Sequence, residues 1–326
     1  MRWYAWYQGG NIHVADLDRS PADGSLLTMH VVVPLPADHR DWSEVYVAAV
    51  PDGEAVVYVA CNAVRRLNLH GTVVWSYDLG SGGNEGAAVA VSPDADVVWV
   101  WASQMTDDGC DRLLVLDAAS GGLLDQADLW SVGYGGGFFA HPDGTVIVSV
   151  GQGQCGPANF QARFDGGLLV VEELIGPLRD QRWLVALSPE GTRLVAFPDW
   201  AWGELLVHAW PGGELLTSFK AADLLPDQHR SDEPTFEWTT GFLNNGQLLT
   251  TIEVDQKALL VRVDLESGAS SVIGEPFATP RGHTLGDGTW IAADEWKDRS
   301  GPRRLRRFQL DRSGEDLWPG LAGCAG

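Results

Sequence analysis

Three short stretches hold the residues best suited to chemistry. "HRDW" (39–42), "RDQRW" (179–183) and "DQHRSDEPTFEW" (227–238) each place Asp, Arg and Trp just ahead of a strand-like apolar segment. Guanidinium groups capture carboxylates or phosphates through paired N–H donors. Arg40, Arg179, Arg182, Arg230 and Arg281, with Trp42, Trp183 and Trp238 beside them, are therefore candidates for holding a small anion if the fold gathers them at one opening. The competing reading is local: each Arg pairs with its neighbouring Asp and each Trp wedges between elements, since exposed ion pairs are common and weak.

Asp227, His229, Asp232 and Glu233 offer oxygen and imidazole donors to a divalent ion, but their spacing is generic and reads first as that of a solvated acidic loop. No cofactor is expected beyond that open possibility. Asn84, Glu85 and His283 supply acid, base and hydrogen-bonding groups that, with an Arg, would suit a hydrolase assembled from separate segments. The local signatures of catalysis are missing: there is no G-x-S-x-G, H-E-x-x-H or P-loop, and the Gly-rich "GYGGGFF" leads into a strand, not a helix. Trp200, Trp202 and Trp296 fall in loops, where an aromatic side chain either anchors a partner or packs beneath the loop.

The 326 residues carry 44 acidic and 22 basic side chains, a formal charge of −22. That balance disfavours nucleic acid, whose non-specific binding rests on basic residues displacing counterions. Only Lys220, Lys257 and Lys297 are lysines. No apolar run approaches a membrane span, and the first 20 residues lack a charged-then-apolar leader, so the expectation is a cytoplasmic protein with no membrane partner. Cys61, Cys110, Cys155 and Cys324 stand far apart without metal-ligand spacing and read as reduced, incidental thiols.

What must position these residues is a repeat. "AVPDGEAVVYVA", "VSPDADVVWVWA", "AHPDGTVIVSVG" and "LSPEGTRLVAF" share one turn, at Pro51, Pro93, Pro142 and Pro189, with weaker copies at Asn244 and Gly286, 42 to 55 residues apart. The flanking segments alternate or run in Val, Leu, Trp and Tyr, which favours strands over a helical solenoid. A second set of Gly turns at 69–72, 120–122, 165–167, 211–213 and 267–269 divides each period into four strands. Four antiparallel strands per period make one blade of a β-propeller. The fold class expected is all-β: a single propeller domain over 1–326 with a partial blade at 1–35 and repeats near 45–80, 87–129, 135–174, 183–224, 237–274 and 280–318. Seven blades are expected, with six as the alternative and with closure mixing strands from the two ends of the chain. The opening "RWYAWYQ", "NIHVADLD" and "SLLTMHVVVP" match the second, third and fourth strands of a blade lacking its first, and "EDLWPGL" is a candidate closing strand.

On "VAVSPDADVVWVWAS…RLLVLDAASGGLL" the chain resembles the YVTN and WD40-like group of bacterial β-propellers, although the Gly-His and Trp-Asp of true WD40 repeats do not recur. The resemblance implies architecture; the group includes lactonases, dehydrogenase subunits and binding scaffolds.

Antiparallel order puts the turns between strands one and two, and three and four, at one end of each blade. The other end carries the longer loops, among them "SQMTDDGCDR", "GQGQCGPANF" and "PDWAWGE". Loops on a rigid scaffold carry function. The reading reached is a non-catalytic binding or scaffold propeller that recognises a protein or small anionic ligand on its long-loop face, at the mouth of the central channel. A lactonase-like hydrolase is the alternative, and a structural ring for another subunit a third. The terminal run Lys297, Arg299, Arg303, Arg304, Arg306, Arg307 and Arg312 reads as a solvated patch, or as a dock for an acidic partner.

Overall fold

In the computed structural model the described residues are 2–35, 45–60, 62–80, 86–174, 182–199, 201–227, 233–255, 257–273, 283–293 and 305–309. They form seven antiparallel sheets, the blades of a β-propeller, so the seven-blade expectation holds over the six-blade one. The chain divides into two compact units, residues 1–19 with 28–181 and residues 20–27 with 182–326.

The first unit holds four blades. Blade 1 comprises β1 (Trp3–Gln8), β2 (Asn11–Asp16) and β4 (Met29–Pro34). Blade 2 runs β5 (Tyr46–Ala49), β6 (Ala55–Ala60), β7 (Ala63–Asn68) and β8 (Val73–Asp78). Blade 3 runs β9 (Ala87–Val91), β10 (Val97–Ala102), β11 (Asp111–Asp117) and β12 (Leu123–Leu129), and blade 4 β13 (Gly135–Ala140), β14 (Val146–Gly151), β15 (Pro157–Asp165) and β16 (Leu168–Glu173). The second unit holds blade 5, β17 (Arg182–Leu187), β18 (Arg193–Pro198), β19 (Glu204–Ala209) and β20 (Leu215–Lys220). Blade 6 contains β21 (Thr235–Phe236), β22 (Gly241–Asn244), β23 (Gln247–Val254), β24 (Lys257–Asp264) and β25 (Ser270–Val272). In blade 7, β26 (His283–Thr284), β27 (Thr289–Ala293) and β28 (Leu305–Gln309) are completed by β3 (Asp23–Leu26), so one sheet joins strands from both ends of the chain.

The opening strands take the places that the sequence pattern gives them: β1, β2 and β4 are the second, third and fourth strands of their blade. Leu17 N bonds the Arg2 carbonyl and Leu35 N the Gly10 carbonyl, just as Ala118 N bonds that of Asp96 and Leu79 N that of Asn62 around the same strands of blades 3 and 2. One detail differs. Residues 25–34 do not form one strand: Asp23–Leu26 leaves to pair with β28, and only Met29–Pro34 pairs with β2. "EDLWPGL" lies outside the described residues.

The repeated turn has a local cause. Asp52, Asp143 and Asp287 each accept the backbone N–H two residues on through Oδ1, at 2.9 Å. The residue after Asp takes positive φ, 75° at Gly53 and 88° at Gly144, a region costly for side chains with a Cβ. The third-to-fourth turn repeats a second device, in which Asp117 and Asp264 accept from the N–H and hydroxyl of Ser120 and Ser267.

The core sits between adjacent blades. Along β10, Val98, Val100 and Ala102 pack toward blade 2, whereas Trp99 and Trp101 pack toward blade 4. A second strand covered on both faces has no need of polar alternation, which explains the unbroken "VVWVWA". Blades are also pinned by hydrogen bonds: Trp75 Nε1 and Arg66 Nη1 both donate to the Ala118 carbonyl, at 2.9 and 2.6 Å. No helix among the described residues is long and apolar enough to cross a membrane.

Candidate functional site

The end of blade 5 opposite its short turns is built by Trp183 in β17, by Asp199 and Trp202 between β18 and β19, and by residues 235–240, which enter blade 6. Trp183 pairs with Phe197 across β17 and β18 and donates Nε1 to Asp199 Oδ1 at 2.6 Å. Residues 235–240 are stitched down on both sides. Phe236 N donates to the Trp202 carbonyl at 2.7 Å, Glu237 N to that of Thr251 at 2.9 Å, and the Thr239 and Thr240 hydroxyls bond those of Thr251 and Thr250. This rigid segment presents Trp238, 48% exposed, on a base of rings. Trp238 stands edge-on to Trp183 (4.9 Å, 86°) and Trp202 (4.8 Å, 71°), with Phe197 at 6.4 Å. Trp183 and Trp202 reach into the core cluster of blades 5 and 6 and are half-buried. Two tryptophans are thus spent on packing, and the third is offered to solvent.

Arg182, half-buried, opens the same strand. Its charge and, more strongly, burial lower the pKa of His208 below the ordinary imidazole value; the Gly213 carbonyl, which accepts from Nδ1 at 2.9 Å, opposes them. This end combines aromatic surface with the half-buried residues Asp199 and Glu237.

A second exposed aromatic group lies in the first unit and was not singled out from the sequence. The carboxylate of Asp111, wholly buried at the start of β11, accepts from the Ser131 hydroxyl (2.7 Å), from Gly133 N (2.9 and 3.1 Å) and from Gln104 N (3.2 Å). Ser131 and Gly133 therefore turn inward. Trp130, Val132 and Tyr134 turn outward, at 85%, 42% and 61% exposure. The visible signal was an Asp opening an apolar strand, and the small-large alternation of "WSVGY".

Of the other sequence candidates, Arg40, Trp42, Asn84, Glu85, Arg179, His229, Arg230 and Arg281 lie outside the described residues, as do Trp200, Asp232 and Trp296. His283 is exposed at the start of β26, and Asp227 and Glu233 are exposed in the link to blade 6. Among the described residues no three His, Cys, Asp or Glu side chains stand close enough to share a metal ion. Cys110 and Cys155 are free thiols. The terminal arginines need correction: Arg307 is buried and Arg306 Nη1 donates to the Gly24 carbonyl at 2.8 Å, so this pair ties down the N-terminal strand and is not a solvated patch. Lys297, Arg299, Arg303, Arg304 and Arg312 lie outside the described residues.

Among the described residues the connectors 103–110 and 130–134 are longer than the short turns and lie at the same end of blade 3. At the short-turn end of blades 1 and 2 is an open cleft of about 520 Å³, lined by Trp3, Asp16, Arg19, His30, Glu54 and His70 among others.

No protein-family model and no curated protein matches the chain. Solved structures do. The dihydro-heme d1 dehydrogenase NirN is 15% identical with a TM-score of 0.57, over 95% of this chain and 64% of its own length. A protein titled "putative 6-phosphogluconolactonase", from Bacteroides uniformis, is 14% identical with a TM-score of 0.57, over 93% and 89%. A functionally unknown protein from Desulfotomaculum acetoxidans is 12% identical with a TM-score of 0.56, over 93% and 90%. This chain thus spans less than two thirds of the NirN chain. At such identities the similarity shows the β-propeller fold alone, which is the architecture the repeat and the resemblance led one to expect.

Proposed function

We propose that this propeller is a non-catalytic binding module that recognises a protein partner through the end of blade 5 opposite its short turns. The observation that supports this most directly is Trp238. It is half-exposed, rigidly mounted and backed by Trp183 and Trp202, whereas the other large aromatic side chains of that cluster are packed. Tryptophan so placed is the residue type that most often dominates an interface, because it buries a large area at small entropic cost. The small-anion reading rests on Arg40, Arg179, Arg182, Arg230 and Arg281 and the hydrolase reading on Asn84, Glu85 and His283; of these only Arg182 and His283 are among the described residues.

The test is to identify the proteins retained by the wild-type chain but not by Trp238→Ala, and then to measure the affinity of the purified partner. A Kd weakened by roughly thirtyfold in the variant is expected of a central Trp anchor. A partner that binds both forms equally overturns the assignment to this end of the blade. Turnover of δ-lactones by the purified chain overturns its non-catalytic half.

A further inference from the structure

We infer that residues 130–134, between blades 3 and 4, form a separate docking surface for a basic, apolar-bearing peptide segment of a partner protein. The inference does not depend on Trp238. It rests on how the chain treats "WSVGY". Burial alternates strictly, with Ser131 and Gly133 inside and Trp130, Val132 and Tyr134 outside. The inward residues are held by a buried carboxylate, and two further bonds fix the stretch: Val132 N donates to Gln152 Oε1 at 3.2 Å and Tyr134 N to the Gly151 carbonyl at 2.9 Å. A flexible loop would turn such side chains toward the protein; this one is locked into presenting them. A backbone already fixed before contact loses little entropy on binding, which is what makes a displayed aromatic pair useful.

Charge selects the occupant. The neighbouring connector 103–110 shares the same Asp111 anchor, through Gln104 N, and carries Asp107 and Asp108 exposed. Between residues 103 and 134 the one basic residue is Arg112, and its Nε is bound to Asp128 at 2.7 Å. A second copy of a chain with formal charge −22 would meet like charge here. A partner segment rich in Arg meets Asp107 and Asp108, and its guanidinium planes stack on the indole of Trp130 and the phenol of Tyr134 while its apolar residues cover Val132.

The probe is a labelled octapeptide alternating Arg and Leu, with its Glu–Leu counterpart as control, titrated by fluorescence anisotropy at about 0.15 M salt, where long-range attraction between exposed charges is largely screened. Wild type is expected to bind the Arg–Leu peptide and not the Glu–Leu one. Trp130→Ala with Tyr134→Ala should weaken it at least about tenfold. Asp107→Asn with Asp108→Asn should weaken it about threefold and flatten its salt dependence. Trp238→Ala should leave it unchanged, which separates this surface from the one proposed above. The exposed positions of Trp130 and Tyr134 mean that the melting temperature serves as a control and should not move. Absence of binding up to about 1 mM peptide overturns the proposal, since affinity would then be negligible. So does binding that survives loss of both aromatics, which would be charge attraction alone. Dimers of the free chain that dissolve on Trp130→Ala with Tyr134→Ala would also overturn it, by making a second copy the occupant.

Discussion

Arg307 Nη2 donates to Asp287 Oδ2 at 2.7 Å, and the same guanidinium bonds the Ser20 carbonyl through Nη1 and the Thr289 hydroxyl through Nε, both at 3.0 Å. With 8% of its side chain exposed, Arg307 links the repeated turn of blade 7 to the segment that leads into β3. Truncating Arg307 removes its buried hydrogen bonds to Ser20 and Thr289, whereas Asp287 is exposed and keeps its hydration, so the cost is about 2 kcal/mol. Arg307→Ala should therefore lower the urea midpoint by that equivalent, and the Leu27 amide, bonded to the Leu305 carbonyl at 2.9 Å, should exchange with solvent faster. An unchanged midpoint would mean that β3 stays in blade 7 without this clamp.

Asp111 should behave similarly in the first unit. Asp111→Ala leaves the buried Ser131 hydroxyl and Gly133 N–H without their acceptor, at a cost of about 2 kcal/mol. Gly133→Ala tests the same corner by shape: a Cβ there would collide with Val150 and come within 2.7 Å of Trp101 Cζ2, both fully buried. Neither can step aside in a packed core. Both variants should unfold at lower denaturant concentration, and near-ultraviolet circular dichroism should report a loosened Trp130 and Tyr134. Variants as stable as wild type would show that the loop is held by its flanking strands instead.

Stability should fall on mild acidification. His208 is buried, and burial places its folded-state pKa below the ordinary value near 6.5 that it regains on unfolding. The unfolded chain then takes up the proton first, so this contribution is complete above about pH 6.5 and drains away as pH falls toward the depressed folded value, by at most about 1.4 kcal/mol per pH unit. His13, also lowered chiefly by burial, adds to the same window. Thermal melts from pH 7.5 to 5 should show the decline, and His208→Gln should make it shallower. A variant with the wild-type slope would assign the dependence elsewhere.

The features legible in the sequence are those whose cause is local. Asp-Gly turns that bond their own backbone recur because each needs only four or five residues, and they mark the blades without reference to anything distant. The choice of partner for Asp23–Leu26 is different in kind: β3 pairs with β28, some 280 residues on, and nothing in "DGSL" encodes that. Alternation in the terminal Arg run sorts side chains to two faces but does not say which face is covered, so the burial of Arg307 was invisible. Trp183 and Trp238 are legible as loop-end aromatics, yet their division of labour depends on Trp202 from the connector after β18 and on Phe197 from β18 itself. Trp130 and Tyr134 were missed because the residue that displays them, Asp111, acts from a neighbouring strand.

Two equivalent turns offer a paired measurement of the local rule. In blade 4 the residue after the turn Asp is Gly144, at φ 88° with open space where a Cβ would lie. In blade 3 it is Ala95, held at φ 63° and packed partly against the core cluster of blades 2 and 3. Gly144→Ala adds no clash, so its effect is backbone strain less the entropy that Ala removes from the unfolded chain, a net loss of about 1 kcal/mol. Ala95→Gly relieves the same strain but gives up the entropy gain and a partly buried methyl group, which leaves a gain of no more than about 0.5 kcal/mol. Equilibrium unfolding of the two single variants should thus show opposite signs, with the blade 4 change larger. If both destabilise equally, packing of the methyl outweighs the dihedral at Ala95, and the turn in blade 3 is held by its contacts more than by its conformation.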